Sequence, residues 1–244
     1  MKFATDKLVA GGIAALIAGL LVLGLLSLDR PVHAASAPVN IPAPNGPADL
    51  RQPGGSSARV VFAGGCFWGV QGVFQHVRGV ENAVSGYIGG SAADASYPRV
   101  SRGDTGHAEA VQVTYDPAQV SYGQLMQVFF SVVHDPTQLD RQGPDRGSQY
   151  RSAVYADEAP QRAATLAYID QLQRSGVFNS PVVTRVDGGK RFYVAEAYHQ
   201  NYLTLHPDAL YIRINDLPKV EALKRQFPAL YRDKPWLVPT LSAR

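Results

Sequence analysis

The chain has 244 residues, 23 basic and 20 acidic, with a formal charge of +3 and one cysteine. Its apolar fraction of 45% suffices for one packed core, and its length fits one domain with an appendage. Leaving out the first 34 residues gives 20 basic and 18 acidic residues, a balance of +2 with no basic stripe, which argues against a nucleic-acid partner. One cysteine also excludes an intramolecular disulfide.

Residues 8–28 are uncharged and follow Lys2 and Lys7. Small residues come next, in Val32-His33-Ala34 and Ala35-Ser36-Ala37, as at signal-peptidase sites. The run is also long enough to span a bilayer. Residues 1–37 are therefore expected to be a signal peptide or an N-terminal membrane anchor. Either one exports the remainder, to the periplasm or to the outer face of the inner membrane. Residues 38–58, rich in Pro, Gly, Ala and Ser, read as a flexible linker. The body spans residues 59–232 and a loose tail follows at 233–244.

Within the body, residues 59–62 read as a strand and 66–76 as a helix with Val70, Val73, Phe74 and Val77 on one face. Residues 80–88 are a strand ended by Gly89-Gly90, and 91–105 a polar loop holding Tyr97-Pro98. In the strand over 107–115, alternation places Glu109, Val111, Val113 and Tyr115 on one face. Ser121-Tyr122-Gly123-Gln124 is a capping-box pattern and opens a helix that stops at His134-Asp135-Pro136. An irregular loop over 138–150 leads to a strand at 151–155. A helix follows over 160–174 with Leu166, Ile169 and Leu172 inward. Residues 182–186 and 191–195, around Asp187-Gly188-Gly189, read as a hairpin. Residues 197–205 look helical, and a last short helix surrounds Val220, Leu223 and Phe227. This order predicts an α+β fold, a mixed or antiparallel sheet with helices packed on it. The glycines fit neither a dinucleotide site nor a P-loop, and the six histidines show no metal-ligand spacing, so no metal or cofactor is assigned.

The chemistry centres on Ala63-Gly64-Gly65-Cys66-Phe67-Trp68-Gly69. A thiol at a strand-to-helix turn faces unpaired N–H groups and the positive end of the helix dipole, which favour a thiolate. Glu109 shares an apolar strand face, and burial there raises a carboxyl pKa and suits it to proton donation. These groups fit two reactions. In acyl transfer the sulfur attacks a carbonyl and needs a histidine base, with His76, His107, His134 and His199 as candidates. In reduction it attacks an oxidised sulfur, an acid protonates the oxygen, and cysteine ends as a sulfenic acid. An aromatic wall such as Phe67 and Trp68 suits an S-methyl group. A non-catalytic binding module with a structural cysteine is the third reading.

Several stretches closely resemble the A-type peptide methionine sulfoxide reductases: Gly65-Cys66-Phe67-Trp68-Gly69, the run Gly103-Asp104-Thr105-Gly106-His107-Ala108-Glu109, His134-Asp135-Pro136-Thr137, Arg141-Gln142-Gly143-Pro144-Asp145, and Gln149-Tyr150-Arg151-Ser152. Tyr198-His199-Gln200-Asn201-Tyr202-Leu203 looks like that family's downstream motif. The resemblance implies a two-layer α/β sandwich with a ferredoxin-like core. It implies Cys66 as nucleophile, Glu109 as acid, Tyr97 and Tyr150 as hydrogen-bond donors to the sulfoxide oxygen, and Asp145 as a shaping residue. Phe67 and Trp68 would enclose the methyl group. The implied substrate is the S epimer of methionine sulfoxide, free or in proteins. Many members carry resolving cysteines near the C-terminus and this chain has none. An external reductant, a thioredoxin-like protein or a small thiol, would have to recycle Cys66.

Overall fold

The computed structural model describes residues 39–48, 50 and 57–239. The leader expected at residues 1–37 falls outside them. Among the described residues eight strands and four longer helices follow in chain order: β1 (Ala58–Gly64), α1 (Phe67–Gln75), β2 (Val80–Ile88), β3 (Ala108–Tyr115), α2 (Tyr122–Val128), β4 (Arg141–Gln142), β5 (Asp145–Arg146), β6 (Ser152–Tyr155), α3 (Ala159–Ser175), β7 (Arg185–Asp187), β8 (Phe192–Val194) and α4 (Leu217–Gln226). Short helical turns lie between them.

Six strands form one sheet in the order β7-β6-β1-β3-β2-β8. All pairs are antiparallel except β6 with β7, so the sheet is mixed. Alternation divides its side chains between two apolar clusters. Val60, Phe62, Val111, Val113 and Val154 meet the inward residues of all four helices. Val61, Ala63, Ala108, Ala110 and Ala153 form a smaller cluster with no helical residue. The helices therefore make one layer and the sheet the other. Phe62 anchors the joint: its ring stacks on Phe74 of α1 at 4.9 Å and on Phe129 at 4.7 Å. Truncating a fully buried phenylalanine of this kind to alanine costs about 3–5 kcal/mol.

The local signals act as their chemistry requires. Ser121 Oγ accepts from the Gln124 N–H at 3.1 Å while Gln124 Oε1 accepts from the Ser121 N–H at 2.9 Å, closing the capping box. Helix α3 ends at Gly176 in the left-handed region, φ 67°.

Three expectations need correction. Leu166 is 56% exposed; the inward stripe of α3 runs through Gln161, Thr165, Tyr168, Ile169 and Leu172, and Leu166 lies one residue off it. The segments around Asp187-Gly188-Gly189 do not form a hairpin. β7 pairs with β6 at one edge of the sheet and β8 with β2 at the other, so partners elsewhere outcompete the local turn. The helix over 197–205 is split into a 3-10 turn, Ala197–His199, and one α turn, Tyr202–Leu205, because Asn201 sits at φ 61° between them.

Composition marks residues 38–58 as linker, yet part of that stretch has partners. Ile41 and Ala48 are buried, the Tyr168 hydroxyl donates to the Pro42 carbonyl at 2.7 Å, and Gln171 Nε2 donates to the Ala43 carbonyl at 2.8 Å. In the tail, the Trp236 N–H donates to the Gln75 carbonyl at 2.9 Å, and Asn201 makes two bonds with the backbone of Val238.

Candidate active site

The site begins where β1 hands over to α1. Gly65 turns the chain at φ 96°, and a Cβ there would lie 2.7 Å from the Gln142 side chain, so only glycine fits. Cys66 follows as the N-cap of α1. It is 9% exposed, at the edge of the core and not sealed within it.

Glu109, near the start of β3, is buried on the face that alternation assigned to it. Its Oε2 accepts a 3.0 Å hydrogen bond from the backbone N–H of Phe67, the residue after the cysteine. One free N–H of α1 is thereby bound, and the carboxyl is brought to the sulfur's neighbourhood. Burial pushes Glu109 up to about 8, with Asp145 and Asp216 adding to the rise and the Phe67 N–H opposing it. At neutral pH it is an acid that still holds its proton.

Cys66 departs from expectation. Burial pushes the thiol well above its ordinary range, and Glu109, Asp216 and Asp145 push the same way, while the Trp68 N–H opposes them. The helix terminus is present, but desolvation and nearby carboxyl groups outweigh it, so the resting sulfur is a thiol.

Tyr97 opens a short helical turn, and Tyr150 ends a 3-10 turn. Burial raises both phenols, with further upward pushes from Glu109 and Cys66, so both remain protonated donors beside the pair. The Tyr97 backbone N–H is bound by Glu196 Oε1 at 2.9 Å, and the other oxygen of Glu196 accepts from the Tyr87 hydroxyl at 2.8 Å. Asp145 accepts from the Tyr211 hydroxyl; burial raises its pKa and that bond lowers it.

Phe67 and Trp68 fill the first turn of α1. Phe67 is buried against Tyr87 and His199. Trp68 is half-buried and held on three sides: its Nε1–H donates to His199 Nδ1 at 3.1 Å, its ring stacks on Tyr202 at 3.8 Å, and Tyr211 meets it edge-on at 6.0 Å. Acceptance at Nδ1 puts the ring hydrogen of His199 on Nε2. The downstream motif offers His199 only as a candidate base for acyl transfer and gives Tyr202 no role. Asp216 and Lys219 gave only an acid three residues before a base. Asp216 is buried beneath Gly69, where a Cβ would collide with its carboxylate, and Lys219 Nζ donates to its Oδ1 at 3.1 Å.

Each of the four candidate histidines for acyl transfer is engaged elsewhere. His76 Nδ1 donates to the Gly72 carbonyl at 2.7 Å. His107 lies between the Gly90 N–H and the Ser91 carbonyl. His134 donates to the Phe129 carbonyl, accepts from Ser152 at 2.6 Å, and is lowered by burial to about 4. His199 serves Trp68. Among the described residues no group of three or more His, Cys, Asp or Glu converges as a metal site.

A thiol at a helix N-terminus, a protonated carboxyl and two phenols around it, with an aromatic wall beside them, define a thiol oxidoreductase site. Comparison with known proteins then gives the family. Residues 58–230 match the family described as peptide methionine sulfoxide reductase. Peptide methionine sulfoxide reductase MsrA 2 of Mesorhizobium japonicum is 58% identical over 190 residues, 78% of this chain and 96% of that protein. The protein of the same name from Synechocystis is 50% identical over 169 residues, 69% of this chain and 79% of that protein. Among solved structures, methionine sulfoxide reductase A of Corynebacterium diphtheriae aligns at TM-score 0.54 and 32% identity, covering 74% of this chain and 90% of that one. Reduced Mxr1 from Saccharomyces cerevisiae aligns at TM-score 0.57 and 30% identity, covering 65% and 91%. The chain belongs to the peptide methionine sulfoxide reductase family, as an A-type enzyme with a single cysteine.

Proposed function

We propose that this enzyme reduces the S epimer of methionine sulfoxide, free or in proteins, to methionine, with Cys66 as nucleophile and Glu109 as acid. The observation that carries the reading is the buried, protonated Glu109 bound to the N–H next to Cys66. Phe67 and Trp68 receive the S-methyl group, and Tyr97 and Tyr150 donate to the sulfoxide oxygen. Asp145, tied to Tyr211, shapes the neighbouring wall.

In the resting site both thiol and carboxyl carry protons. The Cys66 sulfur bonds to the sulfoxide sulfur as Glu109 gives its proton to the oxygen, and the thiol proton restores Glu109. The oxygen then passes to Cys66 and the sulfur–sulfur bond breaks. Methionine leaves, reduced by two electrons, and Cys66 is left as a sulfenic acid, oxidised by two. An external thiol returns it to the starting state.

The uncharged run at residues 8–28 after Lys2 and Lys7 supports placing the catalytic body outside the cytoplasmic membrane, where it repairs oxidised exported proteins. Among the described residues no helix is long and apolar enough to cross a membrane. The test is incubation with each epimer without reductant. The S epimer should release one methionine per protein, while the R epimer and the Cys66→Ser variant release none. Equal turnover of both epimers would contradict the stereochemical assignment, and turnover by Cys66→Ser would contradict the mechanism.

A further inference from the structure

A cavity of about 220 Å³ reaches Cys66, yet none of Phe67, Trp68, Tyr97, Glu109 and Tyr150 lines it. Its inner wall includes Gln142, Asp145, Tyr211 and Lys219, and its outer rim includes Asn179 and Ser180, both exposed. The recess therefore reaches the sulfur past Asp145 without passing the acid, the two phenols or the aromatic wall assigned to the sulfoxide.

We propose that the recess is the binding site for a small reducing thiol that recycles Cys66, an inference that rests on the sulfoxide-reductase reading above. Substitution at sulfur is in line: the attacking thiol, the Cys66 sulfur and the leaving oxygen lie on one axis. After the first half-reaction the oxygen faces Glu109, Tyr97 and Tyr150, which can protonate it as it leaves as water. The thiol must then enter from the other face, and the recess, whose lining includes none of those three groups, is assigned to that approach. Its sulfur bonds to Cys66 as the S–O bond breaks, giving a mixed disulfide and water. A second thiol attacks the entering sulfur, frees the Cys66 thiol and forms the small disulfide. Two thiols are oxidised and one sulfenic acid is reduced by two electrons. With no second cysteine in the chain, nothing internal can take this part. A recess around a sulfur that is only 9% exposed suits a small thiol better than a cysteine fixed on a folded protein.

The test separates the half-reactions. Cys66 sulfenic acid is generated by a single turnover, and its loss on adding dithiothreitol is timed in the wild type and in Asn179→Trp and Ser180→Trp. The methionine burst should be unchanged and recycling should slow about tenfold or more as the approach is obstructed. Unchanged recycling in both variants overturns the proposal. So does a slower burst from a peptide substrate with normal recycling, which would make the recess a subsite for residues flanking the methionine. Faster reduction by a thioredoxin-like protein than by dithiothreitol, untouched by either variant, also overturns it. A readout independent of rate is the mixed disulfide of Cys66 with glutathione, which should protect the amides of residues 177–180 from hydrogen exchange; unaltered exchange there counts against the site. Absence of sulfenic acid in the wild type would instead sink the underlying function, and this proposal with it.

Discussion

Glu109 and Asp216 are both buried carboxyl groups that push the Cys66 thiol upward, but they are held differently. Among the described residues Glu109 has one N–H donor and no cation, and its pKa rises to about 8. Asp216 has Lys219 at 3.1 Å, which opposes the upward push of burial, while its second oxygen finds no partner among the described residues. Burial raises both carboxyl groups, but at Asp216 the Lys219 ammonium opposes the rise, while at Glu109 the Phe67 N–H does. Equal burial therefore does not mean equal chemistry, and the neighbouring cation makes the difference.

Glu109→Gln should cut methionine formation about 10²–10⁴-fold, the usual worth of a positioned acid, in a single-turnover assay. An unchanged rate across neutral pH would remove Glu109 from the reaction. The next effect is on stability. Lys219→Met should cost on the order of 3 kcal/mol in a denaturant titration, because it leaves a buried carboxyl unpaired. The pair Asp216→Asn with Lys219→Met should recover most of that loss.

Changing pH separates the carboxyls without mutation. Single-turnover methionine formation should fall as pH rises past about 8, where Glu109 ionises. Stability follows the same sign: the folded state holds a proton on Glu109 that the unfolded chain has released above its ordinary value of 4.5, so this group's contribution is lost between 4.5 and about 8. Glu109→Gln should flatten stability over that window. The smallest effect is on alkylation of Cys66. At pH 7 Glu109→Gln should leave its rate largely intact, since the carboxyl is already neutral. Removing the Asp216 charge together with Lys219 should speed it.

Much of this site was legible in the sequence because local rules governed it. Period-two alternation alone put Glu109 among Val111, Val113 and Tyr115, and the capping box marked α2 to the residue. The position of Cys66 at the end of a strand was equally plain. Its protonation was not: the helix terminus is local, whereas Asp145 and Asp216 reach the sulfur from distant segments. Lys219 and the histidine that holds Trp68 were hidden for the same reason. The supposed hairpin failed because β7 and β8 are drawn to opposite edges of the sheet, which no turn signal encodes.

The central claim is that one sulfur takes the oxygen from the substrate. The most direct measurement is the mass of the Cys66 peptide after a single turnover with methionine sulfoxide carrying heavy oxygen and no reductant. The account predicts that this peptide gains the labelled oxygen, in step with one methionine released per protein. Methionine released with the Cys66 peptide unlabelled would contradict it.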